Sequence, residues 1–425
     1  MDKQIYKSYL SILREELLPA MGCTEPISLA YASALARKVL GCMPSSVLVE
    51  VSGNILKNVK SVIVPNTNGL KGVSAAAASG IVLGNPDSKL QVLSEINSSD
   101  VNKISEFLSS TQILVKKATS KSIFYIKVSL FNGDDSASVE IEGRHTNVVC
   151  ITKNGENLPY EKIEEVADTH TDRSILSIKS IIEFCDKLNI DDVRDIVSRQ
   201  IEYNTAICNE GLTNDYGARV GKVLLSAFGD TVFNKAKATA SAGSDARMNG
   251  CSMPVVIVSG SGNQGITACV PVVVYANHLG VCRDELIRAV TLSDLVTIHL
   301  KTGIGRLSAY CGAVSAGAGA GAGIAYLQGG KFDAIAHTIV NALAIDSGLI
   351  CDGAKSSCAG KIATAIESGL LGYEMFKRGS EFFGGDGILE RGVENTIDNV
   401  GSLARIGMRE TDEEIIRLML KNLDK

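Results

Sequence analysis

Seven short runs rich in β-branched and aromatic residues, VLVEVSG, SVIVPN, LQVLSEI, QILVKKA, SIFYIKVSLF, ASVEIEG and NVVCITK, crowd residues 46–153, while helical spacing governs the chain on either side. A period of two and a period of 3.6 cannot bury the same face, so the chain must build two kinds of layer and join them. The runs predict strands, with one helix among them over 99–109. Before them the spacing predicts helices over 8–18 and 25–40. Thr24 is placed to cap the second, Glu25 and Pro26 suit its first turn, Arg37 and Lys38 its last, and Gly41 its end. Helices return after Tyr160. Val193, Ile196, Val197 and Ile201 mark one buried face that runs to Gly211, residues 283–301 mark another, and a last helix starts at Thr411 with Glu414 as capping-box partner. The expected class is α+β: a large mainly helical catalytic domain of residues 1–42 and 160–425, with an inserted α+β domain of residues 43–159.

Two uncharged stretches, 248–282 and 307–330, need a different account. The first is broken by SGSGNQG and Pro271, and the second is mostly Gly, Ala and Ser, so neither reads as a membrane span. Both read as the interior of a large protein, where small residues let backbones approach closely. At 425 residues the core needs no disulfide staples. The 11 cysteines are odd in number, and residues 1–18 carry Asp2, Lys3, Lys7, Arg14 and Glu15 without an apolar signal core, so a reducing cytoplasm is expected. A net charge of -5 and the absence of Trp exclude a nucleic-acid-binding stripe.

The stretch ICDGAKSSCAGK places Cys351 and Cys358 seven positions apart. On a straight helix that spacing puts two thiols about 10 Å apart along the axis, but Asp352-Gly353 and Ser356-Ser357 predict a loop that folds both toward one point. Cys311 opens the Gly-Ala-rich stretch. The interval between Cys351 and Cys358 is not a standard zinc or ferredoxin spacing, so plain burial stays open for these three. Burial is the reading for Cys42, Cys150, Cys185, Cys208, Cys251, Cys269 and Cys282. Cys23 precedes a helix N-terminus, where the dipole favours a thiolate, although a small residue in a tight corner fits as well. Glu25 is either a helix-stabilising charge or an acid-base group. Ser259, Ser261, Gly262, Asn263 and Gln264 lie in SGSGNQG, whose backbone can form an anion nest suited to a carboxylate; it lacks the lysine of a phosphate loop. Asn66 and Thr67, in PNTNGLKG, are placed to face it from the inserted domain. Arg247 is a second candidate for a carboxylate, against a structural ion pair. The five histidines show no HxH or HExxH spacing.

MGCTEP at 21–26, SGSGNQG at 259–265, SAYCG at 308–312 and CDGAKSSC at 351–358 together resemble the L-cysteine desulfidase family, related to the iron-sulfur L-serine dehydratase alpha chain. The likeness runs over nearly the whole chain, with the motifs in family order. It implies a 4Fe-4S cluster on Cys311, Cys351 and Cys358 with one iron open to substrate, and β-elimination of L-cysteine to hydrogen sulfide, ammonia and pyruvate. Cys23 would be the base, with Glu25 beside it. The second cysteine interval is shorter than in the serine dehydratases, and SGSGNQG replaces their threonine- and proline-containing substrate loop, which turns the expectation from L-serine to L-cysteine. An iron-sulfur L-serine dehydratase, a pyridoxal-phosphate lyase and a non-enzymatic amino-acid or redox sensor are the competing readings. The expected partner is the small-molecule substrate, with neither nucleic acid nor membrane, and a homodimer is the assembly left open.

Overall fold

The computed structural model describes residues 1–159, 171–305 and 308–420. The chain enters through α1 (Lys3–Glu16), β1 (Pro19–Met21) and α2 (Thr24–Leu40). Then come β2 (Ser46–Val51), α3 (Gly53–Val59), α4 (Gly72–Leu83), α5 (Val101–Ser110), β3 (Gln112–Lys117), β4 (Tyr125–Asn132), β5 (Asp135–Glu142), β6 (Val148–Lys153) and β7 (Glu156–Asn157). The helical part holds α6 (Ile178–Lys187), α7 (Arg194–Thr213), α8 (Val220–Phe228) and α9 (Val232–Met248), followed by β8 (Pro254–Val256) and α10 (Gly262–Leu279). It closes with α11 (Arg283–Ile304), α12 (Gly312–Leu327), α13 (Phe332–Asp346), α14 (Cys358–Lys377), α15 (Val393–Ser402) and α16 (Arg409–Leu420). The fold is α+β and mainly helical, as expected.

The large sheet has the order β3-β2-β4-β5-β6-β7, antiparallel except where β2 runs parallel to β3. Five of the seven strand-like runs form strands. SVIVPN and LQVLSEI do not: Val62, Val64, Val92 and Leu93 are buried from turns, and Asn66 and Asn68 adopt positive φ, which ladder pairing does not accommodate. Helices α3 and α4 occupy ground without a helical reading. In α2, Cys23 rather than Thr24 holds the N-cap position, and Gly41 closes the helix at φ 86°. Gly211 lies inside α7 instead of ending it, packed against the Ala242 backbone. The last helix begins two residues before Thr411, and Glu414 pairs with Arg417.

Two cores form. The first joins Tyr9 and Leu13 of α1 to the helices after residue 176, and the second joins Ile27 and Leu29 of α2 to Val49, Val128 and Val139 of the sheet. The division into a domain of 1–42 with 160–425 and an inserted domain of 43–159 is kept as a proposal. By burial α2 goes with the sheet, and the expected boundary at 160 lies outside the described residues. Among the described residues no helix is long and apolar enough to cross a membrane.

The Gly-Ala-rich stretch sets the spacing of α12 and α14. A Cβ on Gly317 would stand 2.1 Å from the Ala365 carbonyl oxygen, and one on Gly369 would stand 2.2 Å from that of Gly317. Backbone therefore touches backbone. Because Cys311 caps α12 and Cys358 opens α14, this contact also fixes how far apart the two cysteines stand. Gly369→Val should push the helices apart and lower stability by about 1–3 kcal/mol, read as a lower denaturation midpoint. An unchanged midpoint would show that the helices can separate without cost.

Candidate functional site

A cavity of about 390 Å³ opens where the two cores meet. The first turns of α2, α10, α12 and α14 all reach it, through Cys23–Glu25, Asn263–Gln264, Cys311–Ala313 and Cys358–Ile362 respectively. The positive ends of four helix dipoles thus favour negative charge there. From the sheet side, Ile123, Phe124 and His145 complete the wall, the His145 ring standing edge-on to Phe124 at 4.8 Å.

Cys311, Cys351 and Cys358 share this cavity. The backbones of 309–311 and 349–351 pair, Cys311 N–H donating to the Leu349 carbonyl at 3.0 Å and Cys351 N–H to that of Ala309. The loop to Cys358 turns at Gly353, whose φ of 94° and approach to the Lys57 carbonyl, 2.2 Å from a Cβ placed there, leave no room for a side chain. Asp352 organises the loop between Lys355 and Lys361. Burial alone would push its carboxyl up, but the two ammonium groups hold it at about 2. Burial, then the charge of Cys351, pushes the Cys311 thiol up to about 12, and burial raises Cys358 as well. Unbound, these groups are therefore thiols, and a cation bound among them would be needed to hold them as thiolates. Among the described residues no group of three or more His, Cys, Asp or Glu is placed to hold a single metal ion.

Cys23 is buried, and its thiol donates to Glu25 Oε2 at 3.2 Å. Thr24 Oγ1 donates to the same oxygen at 3.0 Å, and Asn58 Nδ2 to Oε1 at 3.1 Å. The helix N-terminus does not make this an acidic thiol, contrary to expectation. Burial first, and the Glu25 charge second, push it well above the ordinary range, with Arg247 opposing.

SGSGNQG forms a tight turn. Val258 and Ser261 exchange backbone hydrogen bonds at 3.1 Å, with Ser259 and Gly260 at φ 48° and 79°. Ser261 then caps α10, its Oγ accepting from Gln264 N–H at 3.4 Å. Ser259, Ser261, Asn263 and Gln264 line the cavity, whereas Gly262 lies against Arg247, whose Nη1 donates to Asn263 Oδ1 at 3.1 Å. Arg247 makes no ion pair among the described residues, and its Nε and Gln264 Oε1 are buried without a partner there. Asn66 and Thr67 are not brought to the cavity. Asn66 donates to the Leu93 carbonyl at 2.9 Å and Thr67 to that of Val64 at 2.7 Å.

The sequence reading missed the lysines. Lys57, Lys301 and Lys361 line the cavity, and burial pushes the Lys301 ammonium down to about 8, with Cys351 and Cys311 opposing. A charge on the buried stripe Val290, Asp294, Thr297, Lys301 and Ile304 of α11 was the available signal.

The sequence model of the family described as serine dehydratase alpha chain matches residues 87–417. A UPF0597 protein of Desulfitobacterium hafniense is 55% identical over 416 residues, 98% of this chain and 97% of its own length. UPF0597 proteins of Lachnoclostridium phytofermentans and Treponema denticola are 48% and 45% identical, over 98% and 99% of this chain and 100% of each relative. The family match includes SGSGNQG and the three cavity cysteines 311, 351 and 358. Cys23 and Glu25 precede it.

Proposed function

This chain belongs to the serine dehydratase alpha chain family, a family of lyases, and from that premise we propose that it is an L-cysteine desulfidase. Cys311, Cys351 and Cys358 would hold a 4Fe-4S cluster. The observation that carries the reading is one cavity in which these three thiols meet a fourth thiol bonded to a carboxylate, a guanidinium and an ammonium group. The donor chemistry fits: the three thiols line one cavity with the lysines Lys57, Lys301 and Lys361, and thiolates are the usual anchors of such a cluster. When bound, the cluster would offer an iron without a protein ligand as a Lewis acid for substrate.

The chain's own groups account for the rest. Arg247 and the Ser259–Gln264 turn supply donors for the substrate carboxylate. Cys23 takes the Cα proton after passing its own to Glu25, the acceptor it already faces. A thiol held above its usual range ionises less readily but is the stronger base once ionised, which suits a weakly acidic C–H. As the Cα–H electrons form the new C=C bond, the Cβ–S pair leaves with sulfur as hydrosulfide. Released aminoacrylate tautomerises and hydrolyses in water to pyruvate and ammonia. Ile123, Phe124 and His145 cover the cavity from the sheet side and limit its access to water. With all 11 cysteines free, a reducing compartment fits, and we place the protein in the cytoplasm.

Elimination of water from L-serine is the second reading, favoured by the family's description. Anaerobic reconstitution with iron and sulfide, followed by pyruvate and sulfide assays on both amino acids, separates the two. A higher kcat/KM for L-serine would replace the desulfidase reading. No pyruvate from either substrate on a fully loaded protein would leave the sensing alternative.

A further inference from the structure

Four lysines stand around Cys311, Cys351 and Cys358, and three are already engaged. Lys57 pairs with Asp412 and donates to the Cys351 carbonyl. Lys355 and Lys361 share Asp352, and Lys361 also donates to the Ile350 carbonyl at 2.8 Å. Lys301 differs. It is 5% exposed, lines the cavity near the last turn of α11, and has no hydrogen-bond or ion-pair partner for its ammonium among the described residues. Burying the stem of a lysine so that its unpaired ammonium faces a cavity carries a desolvation cost, and a Leu or Met would fill the same space without it. An anion that arrives after folding removes the penalty. Three thiolates around a core with two positive charges would leave one negative charge; the Lys355–Asp352–Lys361 trio keeps one positive charge tied to its carboxylate, and Lys301 adds one that no carboxylate holds.

We propose that Lys301 is the resident counter-charge of the three-cysteine centre, a positioning residue that holds the assembled cluster by charge rather than by ligation. The inference rests on the cluster reading above. It also gives the cluster-free and cluster-bound proteins opposite responses to one substitution.

In Lys301→Met the volume is nearly kept and the charge removed. The cluster-free variant should melt at a higher temperature than the cluster-free parent, because the unpaired charge is gone. After anaerobic reconstitution it should lose iron to a chelator about 10- to 100-fold faster, as expected when an outer-shell partner of a metal centre is lost. Its cluster should also show a lower midpoint potential in a redox titration followed by electron paramagnetic resonance. Lys301→Arg should restore retention and potential toward the parent. A Lys301→Met protein with parental retention and parental potential would overturn the inference and leave the cluster reading standing. A fall in cluster-free stability together with retention, in the Met and Arg variants alike, would make Lys301 a packing residue and overturn it too. A parent that takes up no cluster at all would overturn the cluster reading and this inference with it.

Discussion

Alanine at Cys311, Cys351 or Cys358 is expected to give a folded protein that holds no stable iron-sulfur cluster and no activity. Each substitution removes one of three anchors, and two thiolates cannot enclose a four-iron body. Folding should survive, because Cys351 and Cys358 are only half-buried and Cys311 sits at a helix start where alanine adds no strain. Iron and acid-labile sulfide per chain are the direct measurement. Full content in any one variant would remove that cysteine from the ligand set. Cys185, Cys208 and Cys269, fully buried and outside the cavity lining, supply the control: alanine there should cost stability while iron stays at the parent level. Exposure to air should inactivate the loaded parent, since an iron without a protein thiolate is open to oxidants. Activity indifferent to oxygen would count against an open iron.

What could be read in the sequence follows the range of the forces involved. Helix α2 was legible because Glu25, Arg37, Lys38 and Gly41 act within a turn of its ends, and β2 to β6 because β-branched and aromatic side chains crowd their runs, β2 alternating strictly between a buried and a less buried face. Helix α4, GVSAAAASGIVL, was not legible, because it packs through small residues on α2, where a Cβ on Gly80 would stand 2.1 Å from the Ala30 carbonyl, and shows no polar face to set a period. SVIVPN and LQVLSEI carried strand-like composition, yet Val62 and Leu93 reach core from turns, so burial without ladder pairing gave the same pattern.

The site divides in the same way. The motifs brought Cys23, Glu25, the Ser259–Gln264 turn and Cys311, Cys351 and Cys358 onto one list, and the cavity gathers most of that list; Asn66 and Thr67, chosen for the look of a loop, bond to their own surroundings. Lys57, Lys301, Phe124 and His145 arrive from four different segments. Only the meeting of the two cores makes them neighbours, and no local rule carries that information.

Cys23→Ala is expected to keep the cluster and to lose turnover by about 100- to 10,000-fold, the usual range for a general base. The argument is positional. Cys23 stands at the start of α2, on a different element from the paired backbones that carry Cys311 and Cys351, and its hydrogen bond goes to Glu25. Removing it takes away a proton acceptor and leaves the three anchors in place. Cys23→Ser should be almost as impaired, since an alcohol is far harder to ionise than even this buried thiol. Glu25→Gln should also slow turnover, because the thiol then has no carboxylate to receive its proton, and of the two oxygens that accept from Thr24 and Asn58 only one remains. A Cys23→Ala enzyme that turned over L-cysteine at the parent rate would defeat the base assignment and move it to Glu25, whose carboxylate would remain intact. Loss of iron in that variant would instead make Cys23 a fourth ligand, a reach its packing beside Cys358 and Ala354 allows, and substrate would then have to displace it before elimination could begin.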